Sequence, residues 1–150
     1  PPGGWIGIGW ESNTKKDLLY NLEKLESFKV NVESFSKDHR AQVEEDLKSK
    51  IDNLNVELDY GRLEQELFYY LEKIDINEEI ARLNSHLKFL SDVLNNNEVE
   101  KGKKLGFICQ EIGREINTIG SKANNSSIQS NVVEMKTLLE KLKEQSLNII

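Results

Sequence analysis

Gln110, Arg114, Asn117 and Ser121 follow one another at steps of four, three and four, and Glu111, Glu115, Thr118 and Lys122 run beside them at the same steps. Side chains spaced this way are neighbours on a helix surface. Two carboxylates one turn apart, Glu111 and Glu115, can hold a divalent ion, and a guanidinium such as Arg114 can grip a phosphate through two hydrogen bonds. Phosphodiester cleavage needs such a mixture: charge against the non-bridging oxygens and a group that activates the nucleophile. The plainer alternative is a solvated face laced with ion pairs worth little. The Gln, Asn, Thr and Ser among the charges weigh against that alternative, because a face filled only for solubility is usually Glu and Lys.

His86 sits at the edge of an apolar stripe, where it can ligate a metal, act as a general base or simply pack half-buried. His39 lies among charges and reads as solvated. Glu64 and Glu66 point to different helix faces, so they do not form a matched pair. Phe68, Tyr69 and Tyr70 can stack on bases, although core packing is the more economical reading. Cys109 falls inside the apolar run Leu105 to Ile112 and reads as a small buried hydrophobe. With one cysteine no intramolecular disulfide forms, and nothing follows zinc, P-loop or Ser-His-Asp spacing.

The elements that must position these groups are helices. Leu18, Leu22, Leu25, Phe28 and Val32 step by three or four, and so do Val43, Leu47, Ile51, Leu54 and Leu58. The polar break Ser34 to Ser36 predicts a turn between two arms of an antiparallel hairpin over residues 15–60, with Ser36 capping the second. Four further stripes follow: Leu63, Leu67, Tyr70 and Ile74; Ile80 to Leu94, with Asn77 as the cap; Leu105 to Ile119; and Ile128 to Leu142. No segment alternates with period two, so the expected fold is all-α, a helical bundle with a projecting antiparallel helical hairpin. Residues 1–14 read as a flexible lead-in or a cloning remnant.

The chain has 150 residues and a net charge of −6, which excludes a protein coated in basic charge for nucleic acid. Lys101, Lys103, Lys104, Arg114 and Lys122 nevertheless outnumber Glu111 and Glu115 between residues 101 and 122, a local patch able to hold a phosphate backbone. No apolar run approaches the roughly twenty residues that span a bilayer, and no secretory leader is visible, so a cytoplasmic location is expected.

Three stretches resemble the C-terminal domain of the YicC-like endoribonuclease family: GRLEQELFYYLEKIDINEEIARLNSHL from Gly61, GKKLGFICQEIGREINTIGSKAN from Gly102 and VVEMKTLLEKLKEQSLNI from Val132. The run REINTIGSKAN is the most specific. The hairpin is similar to the family's middle helical region in pattern only, and the family's separate N-terminal domain is expected to lie outside this chain. The resemblance assigns residues 61–150 to the C-terminal helical domain. It implies a bacterial, metal-dependent endoribonuclease using Mg or Mn, acting on RNA and assembling as a homo-oligomer, a hexamer when full-length. The alternative is a non-catalytic oligomerisation or RNA-binding module of such a protein.

Carried over, the motif positions are Glu64, Glu66, Arg82, His86, Gln110, Glu111, Arg114, Glu115, Asn117, Ser121 and Lys122. Of these, Glu66, His86, Glu111, Arg114 and Glu115 are the catalytic candidates. Glu111, Glu115 and His86 are candidate metal ligands, and Lys101, Lys103, Lys104, Arg114, Asn117, Ser121 and Lys122 are expected to bind RNA. Where the family usually reads KLDFLLQEMNRE, Gly106 replaces an Asp and Gly113 an Asn.

Overall fold

The computed structural model describes the backbone of residues 3–53, 60–95 and 101–147, and side chains from residue 15 onward with Lys101 excepted. Among the described residues every regular element is a helix: α1 (Gly3–Asp52), α2 (Tyr60–Ile74), α3 (Asn77–Asn95), α4 (Lys101–Lys122) and α5 (Ser126–Ser146). The all-α fold expected from the apolar stripes is therefore the fold observed.

Four of the helices close a ring. α1 packs on α5 and α3, and α4 packs on both of these from the other side. Neighbours run antiparallel. Asn21 and Asn31 of α1 reach Gln145 and Asn131 of α5, so one chain climbs as the other descends. The apolar stripes point inward as their spacing predicts. Leu18, Leu25, Leu83, Leu87, Leu90, Leu105, Ile112, Ile116, Ile119, Met135 and Leu142 are buried in one continuous core. Burying such side chains stabilises by about 1.5–3 kcal/mol each before entropy is charged.

The hairpin is real, but its arms are not the expected ones. α1 continues unbroken through Ser34, Phe35 and Ser36, so no turn forms there and Ser36 caps nothing. At about 1.5 Å per residue, α1 is about 75 Å long against about 30 Å for α3, α4 and α5. Its end therefore overruns the bundle, and α2 folds back along that overrun. Ile51 and Asp52 of α1 share a groove with Tyr60, Leu63 and Leu67 of α2. The projecting pair is thus the last third of α1 with α2. Leu54 and Leu58 lie outside the described residues.

The polar gap in the α1 stripe has a physical reason other than a turn. There α1 crosses the end of the bundle, where its neighbours are polar. Arg40 lies 3.4 Å from Asp75, between α2 and α3, and His39 lies 3.5 Å from Asn125, between α4 and α5. His39 is therefore half-buried at a joint rather than solvated. Asp75 also accepts a hydrogen bond from the Asn77 N–H at 2.9 Å, so the start of α3 is capped by Asp75 and not by Asn77. In α2 the buried positions are Leu71 and Ile74, while Tyr70 of the expected stripe is exposed.

The α4–α5 corner is tightly tied. Asn125 Oδ1 accepts from the Ile128 N–H at 3.1 Å and caps α5. Gln129 Nε2 donates to the carbonyls of Gly120 and Ala123, each at 2.7 Å, filling acceptors that the end of α4 leaves open. These bonds fix the last turn of α4, which carries Ser121 and Lys122.

Candidate nucleic-acid interface on helices α3 and α4

The antiparallel pair α3 and α4 carries a line of charge along its seam. Lys122 Nζ donates to Glu79 Oε1 at 2.6 Å, and Arg82 Nε donates to Glu115 Oε1 at 2.9 Å. Arg82 also meets Glu78 at 3.1 Å and Glu79 at 3.6 Å through its other nitrogens. The Glu79 and Glu115 side chains are 3% and 6% exposed, while Arg82 and Lys122 keep 44% and 34% exposure. The anions thus lie beneath and the cations above. The hydrogen bond to Glu115 comes first among the influences that raise the Arg82 pKa above its ordinary value.

These two pairs define the register. One turn further along α3 lies His86, and one turn back along α4 lies Glu111, so His86 and Glu111 stand level at the same seam. Both are half-buried. Two of the predicted catalytic residues, Glu115 and Arg114, part company. Glu115 is buried in the seam, whereas Arg114 is exposed on the outer face of α4. Glu66 is remote from both, exposed on α2 with Arg62 3.5 Å away.

The expected RNA-binding set is mostly on that outer face. Lys103, Arg114, Asn117 and Ser121 are exposed there, with Gln110 among them, while Lys104, also exposed, lies about five turns before Lys122 on the side of the seam. Ser121 Oγ donates to the Asn117 carbonyl at 2.9 Å, and Thr118 Oγ1 to the Arg114 carbonyl at 3.0 Å, so both hydroxyls bond back along the helix. Lys122 belongs to the seam instead, and the Lys101 side chain lies outside the described residues.

Among the described residues no group of three or more His, Cys, Asp or Glu is gathered closely enough to hold a metal ion. The buried Oε2 atoms of Glu79 and Glu115 have no hydrogen-bond partner among the described residues, but their other oxygens are already bound by Lys122 and Arg82. His86, Glu111 and Glu115 are not assembled into a ligand set.

Glu79 is the residue that reading the sequence passed over. A carboxylate in the first turn of α3 is already accounted for by the favourable end of the helix dipole. Its signal was present nonetheless: it lies three residues after Ile76 and four before Leu83, both buried. Glu115 stands in the same relation to Ile112 and Ile119. A carboxylate inside an apolar stripe demands a cation within reach, and Arg82 and Lys122 supply it from the rim of the seam.

The profile described as "Endoribonuclease YicC-like, C-terminal" matches residues 32–150. The chain belongs to the YicC-like endoribonuclease family. It is 37% identical over 134 residues to the probable endoribonuclease YicC of Clostridioides difficile strain 630, a match covering 89% of this chain and 44% of that protein. With the probable endoribonuclease YicC of Haemophilus influenzae the identity is 32% over 144 residues, covering 94% of this chain and 49% of that protein. The chain therefore spans about half the length of the curated YicC relatives it matches. The YicC-like match opens at residue 32, inside α1, so it takes in α2 to α5 and the later part of α1, but not the turns that carry Leu18, Leu22 and Leu25. Among the described residues no helix is long and apolar enough to cross a membrane.

Proposed function

We propose that this chain is the RNA-handling half of an endoribonuclease, working in the cytoplasm, and that α4 presents the face the RNA lies against. One observation carries the reading: every described α4 side chain that is exposed is cationic, amide, hydroxyl or aromatic, and none is a carboxylate, in a chain of net charge −6. Lys103, Lys104 and Arg114 meet phosphates, while Asn117 and Ser121 offer hydrogen bonds to the backbone. His86 and Glu111, level at the seam, are the acid–base candidates for moving the proton of the attacking hydroxyl. Arg82, held from beneath by Glu115, stands one turn away as a charge for the phosphate.

The test uses the full-length protein. Lys103→Ala, Lys104→Ala and Arg114→Ala combined should strongly reduce RNA cleavage and binding while circular dichroism stays the same. Unchanged cleavage by the triple variant would remove this face from the mechanism. The metal requirement is the one implied by the family resemblance, and Glu111 with an RNA phosphate is one way to meet it. Chelation of the full-length protein abolishes cleavage in that case and leaves it intact otherwise.

A second reading, a non-catalytic assembly module for a homo-oligomer, is favoured by α2. Phe68 and Tyr69 there are 58% and 56% exposed on the projecting pair. Light scattering on Phe68→Asp with Tyr69→Asp separates the two: a loss of oligomer with cleavage retained assigns α2 to assembly.

A further inference from the structure

The α4 face contains one residue that the phosphate-binding role does not use. Phe107 is 63% exposed, among the most exposed large apolar side chains described. It lies one turn after Lys103 and, in the other direction, one and two turns before Gln110 and Arg114, all exposed. The six positions Lys103, Phe107, Gln110, Arg114, Asn117 and Ser121 fall within about 40° of one line on the helix and extend about 27 Å. The seam register places Phe89, 45% exposed on α3, level with Phe107 on the neighbouring helix. Two bare rings therefore stand across one seam, with Lys103 exposed one turn from Phe107.

Exposed rings flanked by cations and amides are what an unpaired nucleic acid strand uses, since every base has a face to stack while lysines follow its phosphates. A duplex offers no free base faces. The other exposed ring cluster, Phe68 with Tyr69, sits on α2 among Glu64, Glu66 and Glu72 against Arg62 and Lys73, a poorer match to phosphate.

We infer that Phe107 and Phe89 form a base-stacking platform that makes this chain select single-stranded over double-stranded RNA. The inference rests on the reading of α4 as the RNA face and names the form of RNA it takes. The platform also sets position. His86 lies three residues before Phe89, and Glu111 four residues after Phe107, so a base stacked on the rings brings the adjoining ribose-phosphate to the turn that carries both. Among the described residues two carboxylates lie near the platform: Asp92, exposed three residues after Phe89, and Glu111, half-buried on the flank. Lys103 and Arg114, on the Phe107 side, offset their charge.

The experiment measures anisotropy of a labelled uridine oligomer of about twelve nucleotides, within the length one such site covers, and of an RNA duplex of similar length, with this chain and its variants. Phe107→Ala should weaken single-strand binding by about 5- to 100-fold and leave duplex binding unchanged. Phe107→Trp should restore or tighten single-strand binding, Phe107→Leu should not, and Phe89→Ala should act in the same direction. Tyr69→Ala on α2 should have no effect. Equal losses on single strand and duplex, or full binding by Phe107→Leu, would overturn the platform while sparing the RNA face. Failure of the unaltered chain to bind either probe at low salt would sink both.

Discussion

Lys122 Nζ lies 2.6 Å from Oε1 of Glu79, a carboxylate whose side chain is only 3% exposed, and this contact joins the last turn of α4 to the first turn of α3. Lys122 also reaches toward the Asp75 carbonyl at 3.5 Å. It is thus a strut between the bundle and the corner where α2 turns into α3, rather than a loose cation awaiting a phosphate.

Lys122→Met should therefore destabilise the fold by about 1.5–3 kcal/mol, the usual loss for a hydrogen bond to a charged group. Urea unfolding measures it. Arg114→Ala, on the exposed face of the same helix, should lie within about 0.5 kcal/mol of the parent. Equal effects of the two changes would contradict the division between seam and outer face.

Arg114→Ala should instead appear in RNA binding. Each lost phosphate contact lowers the slope of log affinity against log salt by about 0.7 for a single strand. Titrations at several salt concentrations should show that drop for Arg114→Ala, and again for Lys103→Ala.

The two glycines that depart from the family pattern should respond differently to a methyl group. A Cβ at Gly106 meets open space, whereas one at Gly113 comes within 3.1 Å of Leu139 Cδ2, where α4 and α5 lie close. Gly106→Ala should gain up to about 1 kcal/mol from helix propensity. Gly113→Ala should gain less or lose, because Leu139 must shift. Thermal melts of the two variants rank them.

Burial pushes the Cys109 thiol up to about 11 from its ordinary value near 9. The folded state therefore holds the proton more tightly than the unfolded chain. Its contribution is fully present below about pH 9 and is lost as pH rises through 11. Across that window the parent should lose about 3 kcal/mol that Cys109→Ala does not. Denaturant midpoints measured from pH 8 to 11 show the difference.

Ser36→Pro tests the continuity of α1. In a turn a proline is tolerated, but in a helix interior it costs about 3 kcal/mol or more. A sharp drop in unfolding midpoint is expected, and a neutral result would restore the hairpin read from Ser34 to Ser36.

The helices from Asn77 to Ser146 were legible because each apolar stripe has a partner along its whole length, so spacing and burial agree. The length of α1 was not. Its stripe lapses where Ser36, His39 and Arg40 pass Asp75 and Asn125, and a polar gap against polar neighbours looks in sequence like a turn. At the site, the exposed face of α4 was legible because exposure needs no partner. Glu79 was not, and Arg82 entered only through the family resemblance, because their pairing with Lys122 and Glu115 spans separations of 43 and 33 residues that only the register of α3 on α4 reveals.

Since α1 is both a wall of the bundle and an arm of the projecting pair, the two cannot be steered separately. The same helix whose early turns carry Leu18, Leu22 and Leu25 into the core runs on into the projecting arm, and the contact between Arg40 and Asp75 marks where it leaves the bundle.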